Sequence, residues 1–244
     1  MTDRYDSATY GDRWAAVYDD FVAERLDWPG EVDFLATLAR GGRALELGVG
    51  SGRVAAPLSE RGVEVVGIDA SERMLDLLRE KTDRVRPLVG EFADVDADGA
   101  FDLVYVVFNT FYALLTQDDQ VRCFANVAER LAPEGVFVLQ AFVPSLSTFE
   151  QGFRVQTRHV AMDSVELAAS HVDPVAQTVF TQIVTIAEGG VRMLPIKLRY
   201  AWPSELDLMA RLAGLGLRER YEDFERRPFT AESRNHVSVY ARGG

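Results

Sequence analysis

The sequence predicts an α/β fold: a mostly parallel seven-stranded sheet with helices on both faces, plus a small antiparallel β insertion after strand five. Three observations carry that reading. Strand-like and helix-like stretches alternate from about residue 43 to about 142, as βαβ units around a parallel sheet do. The strands in that span are short, continuous apolar runs, which suits strands covered on both faces. After Pro144 the alternation stops, and residues 153–201 become rich in Val, Thr, Phe and Ile. The expected organisation is an α/β core over 1–152 and 202–244 with an amino-terminal helical cap, interrupted by an antiparallel insertion at 153–201.

From about 10 to 40 the chain reads as two helices. Tyr10, Trp14, Val17, Tyr18 and Phe21 recur at helical spacing, and Val32, Leu35, Leu38 and Ala39 do so after the Trp28-Pro29-Gly30 break. Ala44-Leu-Glu-Leu is the first strand, followed by Gly-Val-Gly-Ser-Gly and a helix closing at Gly62. Val63-Glu-Val-Val-Gly-Ile is the second strand and ends in Asp69. Ser71 is placed to cap the next helix, with Met74, Leu75 and Leu78 inward. Residues 85–89 and 101–107 read as strands three and four. A helix from Asp118 turns Val121, Phe124, Ala128 and Leu131 to one face, and Ala132-Pro-Glu-Gly makes the turn into strand five at 136–142. In the insertion, Asp173-Pro174 and Glu188-Gly-Gly190 punctuate three or four antiparallel strands. Pro203 opens a helix with Leu206, Met209, Leu212 and Ala213 inward, stopped by Gly214 and Gly216. Two strands, near 217–224 and 236–241, end the chain.

Composition narrows the classes of function. With 244 residues, 48% apolar and 26% charged, disordered, collagen-like and fibrous readings are excluded. Cys123 is the single cysteine and cannot form an internal disulfide, which fits a reducing cytosol. The chain opens on polar residues, and no apolar run approaches the roughly 20 residues of a membrane helix, so a cytoplasmic protein is expected. A net charge of −12 disfavours nucleic acid and anionic membranes as partners. Residues 191–244 carry ten Arg/Lys against seven Asp/Glu, a mildly basic segment suited to an anionic part of a substrate.

The chemistry concentrates in Leu45-Glu46-Leu47-Gly48-Val49-Gly50-Ser51-Gly52. Glycines just after a strand let the backbone turn sharply and approach a ligand closely in front of a helix. Asp69 ends the second strand, where a carboxylate can take both hydroxyls of a ribose. Gly90-Glu91-Phe92 ends the third, where an acceptor and an aromatic face can bracket an adenine. All of these sit at carboxyl ends of strands, the ligand-binding edge of an open α/β sheet.

The set Glu46-x-Gly48-x-Gly50-x-Gly52, Asp69, Gly90-Glu91, Phe101-Asp102-Leu103-Val104 and Leu131-Ala-Pro-Glu-Gly135 resembles the class I S-adenosylmethionine-dependent methyltransferases. The resemblance covers residues 10–142 and, in layout, 203–241. The Tyr10-x7-Tyr18-Asp19 opening and the insertion look like the small-molecule branch, which includes sugar-nucleotide aminomethyltransferases and glycine-type N-methyltransferases. Glu134 departs from the second glycine the family often has there. The resemblance implies a Rossmann-like fold, S-adenosylmethionine as cofactor, and methyl transfer to N or O of a small metabolite. It implies that the Gly48–Gly52 loop passes under the methionine part, with Glu46 facing its amino group. Asp69 would hold the ribose, Ala70 and Met74 would flank the adenine, Glu91 would accept from its amine, and Phe92 would pack on the ring. Phe108 and Asn109 would sit by the reactive methyl, and Tyr10 and Tyr18 would close over the cofactor. Trp14, Phe111 and Tyr112 suit either the pocket or the core.

In-line displacement from a sulfonium rests mainly on approximation, so a base is needed only for a protonated or weakly acidic acceptor. Base candidates are Tyr18, His159, His171 and His236. One cysteine and no close histidine pair leave no zinc site, so no metal is expected. A nicotinamide-dependent oxidoreductase also uses a glycine loop with a downstream acid, but G-x-G-x-G departs from the G-x-G-x-x-G of that fingerprint. A non-catalytic cofactor-binding module is the remaining alternative. The insertion is expected to cover the site and supply acceptor specificity, or to form a homodimer contact.

Overall fold

The computed structural model describes residues 5–19 and 30–243. Phe21, Trp28 and Pro29, part of the two expected amino-terminal helices, lie outside the described residues. The main sheet comprises β1 (Arg43–Leu47), β2 (Glu64–Asp69), β3 (Val85–Val89), β4 (Phe101–Val106), β5 (Leu131–Phe142), β10 (Leu215–Tyr221) and β11 (Asn235–Arg242). Its order is β10-β11-β5-β4-β1-β2-β3, and β11 runs against both its neighbours while the first five strands are parallel. The chain leaves β1 toward β2 and β3, then returns to the other side of β1 with β4. The crevice above β1 and β4 is therefore where the strand order reverses, the place where open α/β sheets bind ligands.

Six described helices accompany the strands: α1 (Thr9–Trp14), α2 (Glu31–Ala39), α3 (Ala55–Glu60), α4 (Glu72–Lys81), α5 (Gln117–Arg130) and α6 (Pro203–Leu212). One core, with Leu47, Val104, Phe124, Phe137 and Met209, lies under α5 and α6; the other, with Leu35, Leu58, Val65, Leu75 and Val138, lies under α2 to α4. Ser71 caps α4 by accepting from the Met74 N–H at 3.3 Å.

Two local expectations are corrected. Strand five begins at Leu131, ahead of the expected 136, because Phe101 pairs with Leu131 and Leu103 with Val136. The chain keeps bonding to β4 through a bulge at 132–135, and Gly135 is packed so closely that a Cβ would lie 2.6 Å from the Phe101 carbonyl oxygen. In α6 the inward residues are Leu206, Met209 and Ala210, whereas Leu212 is 76% exposed. At about 100° per residue, Leu212 lies some 120° round from Leu206 while Ala210 lies only about 40° away.

The insertion is a separate four-stranded meander of β6 (Phe153–Val160), β7 (Ser164–Asp173), β8 (Thr178–Ala187) and β9 (Gly190–Arg199). Its inner face reaches the core through Ala168, Ile183 and Leu194, which pack with Trp14, Tyr18 and Met74. Its exit is bolted down. Arg199, 4% exposed, donates to Glu205 at 2.8 Å, to Gln177 at 3.1 Å and to Gln120.

Candidate active site

A cavity of about 1020 Å³ lies between the carboxyl edge of the main sheet, the amino-terminal segment and the inner face of the insertion. Its floor starts at the glycine loop. The N–H groups of Gly48 and Val49 both donate to the Ile68 carbonyl, at 2.8 and 3.0 Å, so the chain folds back sharply against β2. Gly48 has φ +72°, and a Cβ there would meet Thr110 Cγ2 at 2.3 Å. Asp69 ties the loop down: Oδ2 accepts from the Gly50 N–H at 2.8 Å and Oδ1 from the Ser71 N–H at 2.9 Å. Burial raises the Asp69 pKa, and those backbone donors oppose the rise.

Gly48, Gly50, Asp69, Ala70, Met74, Glu91, Phe92, Phe108 and Asn109 all line this cavity, as do Tyr10 and Tyr18. Tyr10 stacks on Trp14 with centroids 5.5 Å apart and meets Tyr18 edge-on at 6.4 Å. Trp14 itself is core, fully buried. The amino-terminal segment straps both halves together. The Ser7 hydroxyl donates to Glu91 at 2.9 Å and the Ser71 hydroxyl to Asp12 at 2.7 Å, while Tyr5 Oη accepts from the Lys197 N–H at 3.1 Å.

Phe108 and Asn109 are consecutive residues at positive φ, +56° and +63°. Asparagine tolerates that region and phenylalanine does not, so the pair must be held. Gln140 Oε1 accepts from the Phe108 N–H at 2.6 Å, and Asn109 Oδ1 accepts from the Phe142 N–H at 2.7 Å. Phe111 and Tyr112, next along, are fully buried core.

Glu46 and Gly52 do not line the cavity. Glu46 lies beneath the loop, 4% exposed, accepting from Tyr105 Oη at 2.9 Å and from the Ala55 N–H. Burial lifts its pKa to about 8, against the pull of Tyr105 and Arg53. Gly52, at φ +82°, seats Leu78, whose Cδ1 would be 2.3 Å from a Cβ. Arg53 in turn makes a two-pronged ion pair with buried Glu31.

None of the three histidines lines the cavity. His159 and His171 are exposed, and the His171 ring rests 4.7 Å from that of Phe153. His236 is fully buried with Nδ1 2.9 Å from Ser238 Oγ, and burial lowers its pKa to about 3, with Arg220 adding to the effect. It is neutral and a weak base. Burial pushes Tyr18 up to about 12 and Tyr10 well above its ordinary value, so both phenols stay protonated. The basic carboxy-terminal segment is also redistributed. Arg199, Arg220 and Arg227 are taken up by Glu205, Asp207 and Asp223, and of its cations only Lys197 lines the cavity.

Sequence reasoning placed the insertion over the site but named none of the residues that line the cavity from it. Arg154 and Gln156 on β6, Ser170 and Val172 on β7, and Thr181 on β8 line the cavity at every second residue. That period of two was readable in each strand, but which face turned inward was not.

Comparison with known proteins gives one consistent answer. A methyltransferase domain model matches residues 44–135. The cypemycin N-terminal methyltransferase of a Streptomyces species is 30% identical over 207 residues, 83% of this chain and 84% of that protein. A dTDP-4-amino-2,3,4,6-tetradeoxy-D-glucose N,N-dimethyltransferase of Saccharopolyspora spinosa is 26% identical over 55% of this chain and 56% of its own length. The solved structure of the CcbJ methyltransferase from Streptomyces caelestis is 44% identical, with a TM-score of 0.90, over 98% of this chain and all of that one. Site, fold and relatives agree, and the chain belongs to the class I S-adenosylmethionine-dependent methyltransferases acting on small molecules.

Proposed function

We propose that the enzyme methylates a nitrogen or oxygen of a compact metabolite enclosed between the sheet edge and the insertion, an amine being the favoured acceptor. The observation that carries this is one cavity lined both by Asp69 with the glycine loop and by the inner strands of the insertion. At about 1020 Å³ it is at the large end for ligand pockets, which suits an acceptor beside the donor. The cradle suits S-adenosylmethionine. Asp69 accepts from the backbone N–H groups of Gly50, Ser71 and Ala70, which leaves lone pairs for ribose hydroxyls, and Met74 and Phe92 offer apolar walls for an adenine with Glu91 as acceptor. Bound S-adenosylmethionine supplies an electrophilic methyl on a sulfonium. Phe108 and Asn109 limit the approach from the β4 side. Tyr10 and Tyr18 present aromatic faces and phenolic oxygens, which suit a cation. Glu46 acts from below, holding the loop and the start of α3.

An amine is favoured because no lining histidine is available and burial raises the pKa of all four lining tyrosines, Tyr5, Tyr10, Tyr18 and Tyr200, so the phenols stay protonated. An amine that arrives neutral needs alignment and no base, whereas a hydroxyl needs its proton removed. The named N-methyltransferases among the relatives support the same preference. The test is turnover against a panel of amines and hydroxyl compounds, read as S-adenosylhomocysteine formed and a gain of about 14 Da in the acceptor by mass spectrometry, a methyl in place of a hydrogen. Saturable S-adenosylhomocysteine binding without turnover on any acceptor would leave a non-catalytic module. The insertion's opposite face exposes Phe153, Val155, Ile186 and Met193, which supports a second role as contact between two copies, to be tested by light scattering.

A further inference from the structure

The charged residues lining the cavity are sorted by origin. Among the described residues, those from the amino-terminal segment and the core are all acidic: Asp6, Asp69, Glu91 and Asp119. Those from the insertion are all basic: Arg154, Arg158 and Lys197. The acidic half suits a cationic donor, and the basic half faces the space left for the acceptor. Arg154 is fixed in place. Its guanidinium lies 4.8 Å over the Phe149 ring and donates to Thr148 Oγ1 at 3.0 Å, yet its Nε is sealed from solvent with no acceptor. A buried donor without a partner is costly, and an arginine held by stacking presents a planar fork that matches a two-oxygen anion. Ser170 and Thr181, bonded to each other at 2.8 Å, add hydroxyls on the same inner face. Beside the polar Gln156, apolar Leu146, Phe149, Val172, Val179 and Leu198 line the same space.

We infer that the acceptor carries an anionic group, carboxylate or phosphate ester, received by Arg154 and Arg158 at the insertion, with an apolar body reaching toward the methyl. This rests on the donor assignment above. The test is calorimetry on the protein saturated with S-adenosylhomocysteine, using octanoate, octyl phosphate and octan-1-ol as probes. Both anions should bind saturably and at least tenfold more tightly than the alcohol, with the tighter of the two identifying the head group. Arg154→Gln should weaken the anions at least tenfold, and Arg154→Gln with Arg158→Gln should erase their advantage. Binding of octan-1-ol and S-adenosylhomocysteine should not change, which also verifies folding. Absence of anion binding, parity with the alcohol, or an anion preference that survives both substitutions would overturn the inference while leaving the donor assignment standing. Failure of the wild-type protein to bind S-adenosylhomocysteine would overturn both.

Discussion

Tyr105 Oη donates to Glu46 Oε2 across 2.9 Å, joining β4 to β1 directly beneath the glycine loop. Both side chains are sealed, and burial raises the Glu46 pKa from 4.5 to about 8. The folded protein therefore holds this proton more tightly than the unfolded chain does. Between those two values stability should fall as pH rises, because ionising Glu46 costs more in the folded state. Glu46→Gln keeps the shape and removes the titration. Melting curves from pH 5 to 9 should show a shallower loss for the variant, and an identical pH slope would rule Glu46 out as the cause.

Asp69 has a different task. Its two oxygens organise Gly50 and Ser71, and the ribose role we propose rests on its remaining lone pairs. Charge-assisted bonds are worth about 1.5–3 kcal/mol each, so Asp69→Ala should weaken S-adenosylhomocysteine binding by roughly ten- to a hundredfold or more. Asp69→Asn, still an acceptor but uncharged, should fall between. Calorimetry on variants with native circular dichroism decides it, and unchanged affinity in Asp69→Ala would remove Asp69 from the ribose role.

Gly48→Ala tests the loop's geometry. The new Cβ would sit at φ +72° and 2.3 Å from Thr110 Cγ2. Overpacking of that kind costs about 1–3 kcal/mol. Thr110→Ser removes the clashing methyl, so the double variant should recover part of the loss in urea unfolding. No recovery would place the strain in the backbone alone.

The parallel core was legible because its signals are local: apolar runs of strand length, glycines after β1, and acids ending β2 and β3. Gly48, Gly50, Asp69 and Glu91 could be placed on one edge because βαβ topology fixes where strands end. The place of Glu46 was harder to read, because strand alternation tells only that it points away from its neighbours. Whether that face meets ligand or packed helices depends on Tyr105 and Ala55, distant in sequence. The places of the histidines were hidden for a similar reason, since residue type invites a base while burial and sheet face decide whether it meets the cavity. Arg154 offered no local signal at all. Its fixation depends on Phe149 and Thr148 and on which face of β6 turns inward.

Arg199 anchors the insertion to the core through Gln120, Gln177 and Glu205. Arg199→Met would leave Glu205 and Gln120 without their main partner. Breaking a fully buried ion pair by removing one member costs about 3–5 kcal/mol, and Glu205 is only half-buried and keeps Gln117 and Gln177 as donors, so a drop at or below the low end of that range is expected in denaturant unfolding. Arg199→Met with Glu205→Gln should cost less than Arg199→Met alone, because the stranded charge is gone. Equal losses in the two variants would mean that the ion pair contributes nothing beyond packing.

Exchange of the insertion addresses specificity itself. The insertion supplies the basic and part of the apolar lining of the cavity, whereas the glycine loop, Asp69 and Glu91 belong to the core. Replacing residues 153–198 with the equivalent segment of the Streptomyces caelestis methyltransferase leaves Arg199 and its anchor in place, and the two folds superpose closely enough for the graft, with a TM-score of 0.90. The chimaera should keep S-adenosylhomocysteine affinity within about threefold, a shift under 1 kcal/mol, because no donor contact changes. Its order of preference across an acceptor panel should move toward that of the graft's source. Trp14 Nε1 donates to the Pro195 carbonyl at 3.3 Å, so the graft must keep that strand's register or the strap will loosen. Parallel measurement of cofactor affinity separates a loosened strap, which lowers both readouts, from a true change of acceptor. If preference stays with the recipient while affinity is intact, specificity resides in the amino-terminal segment or the 108–116 loop.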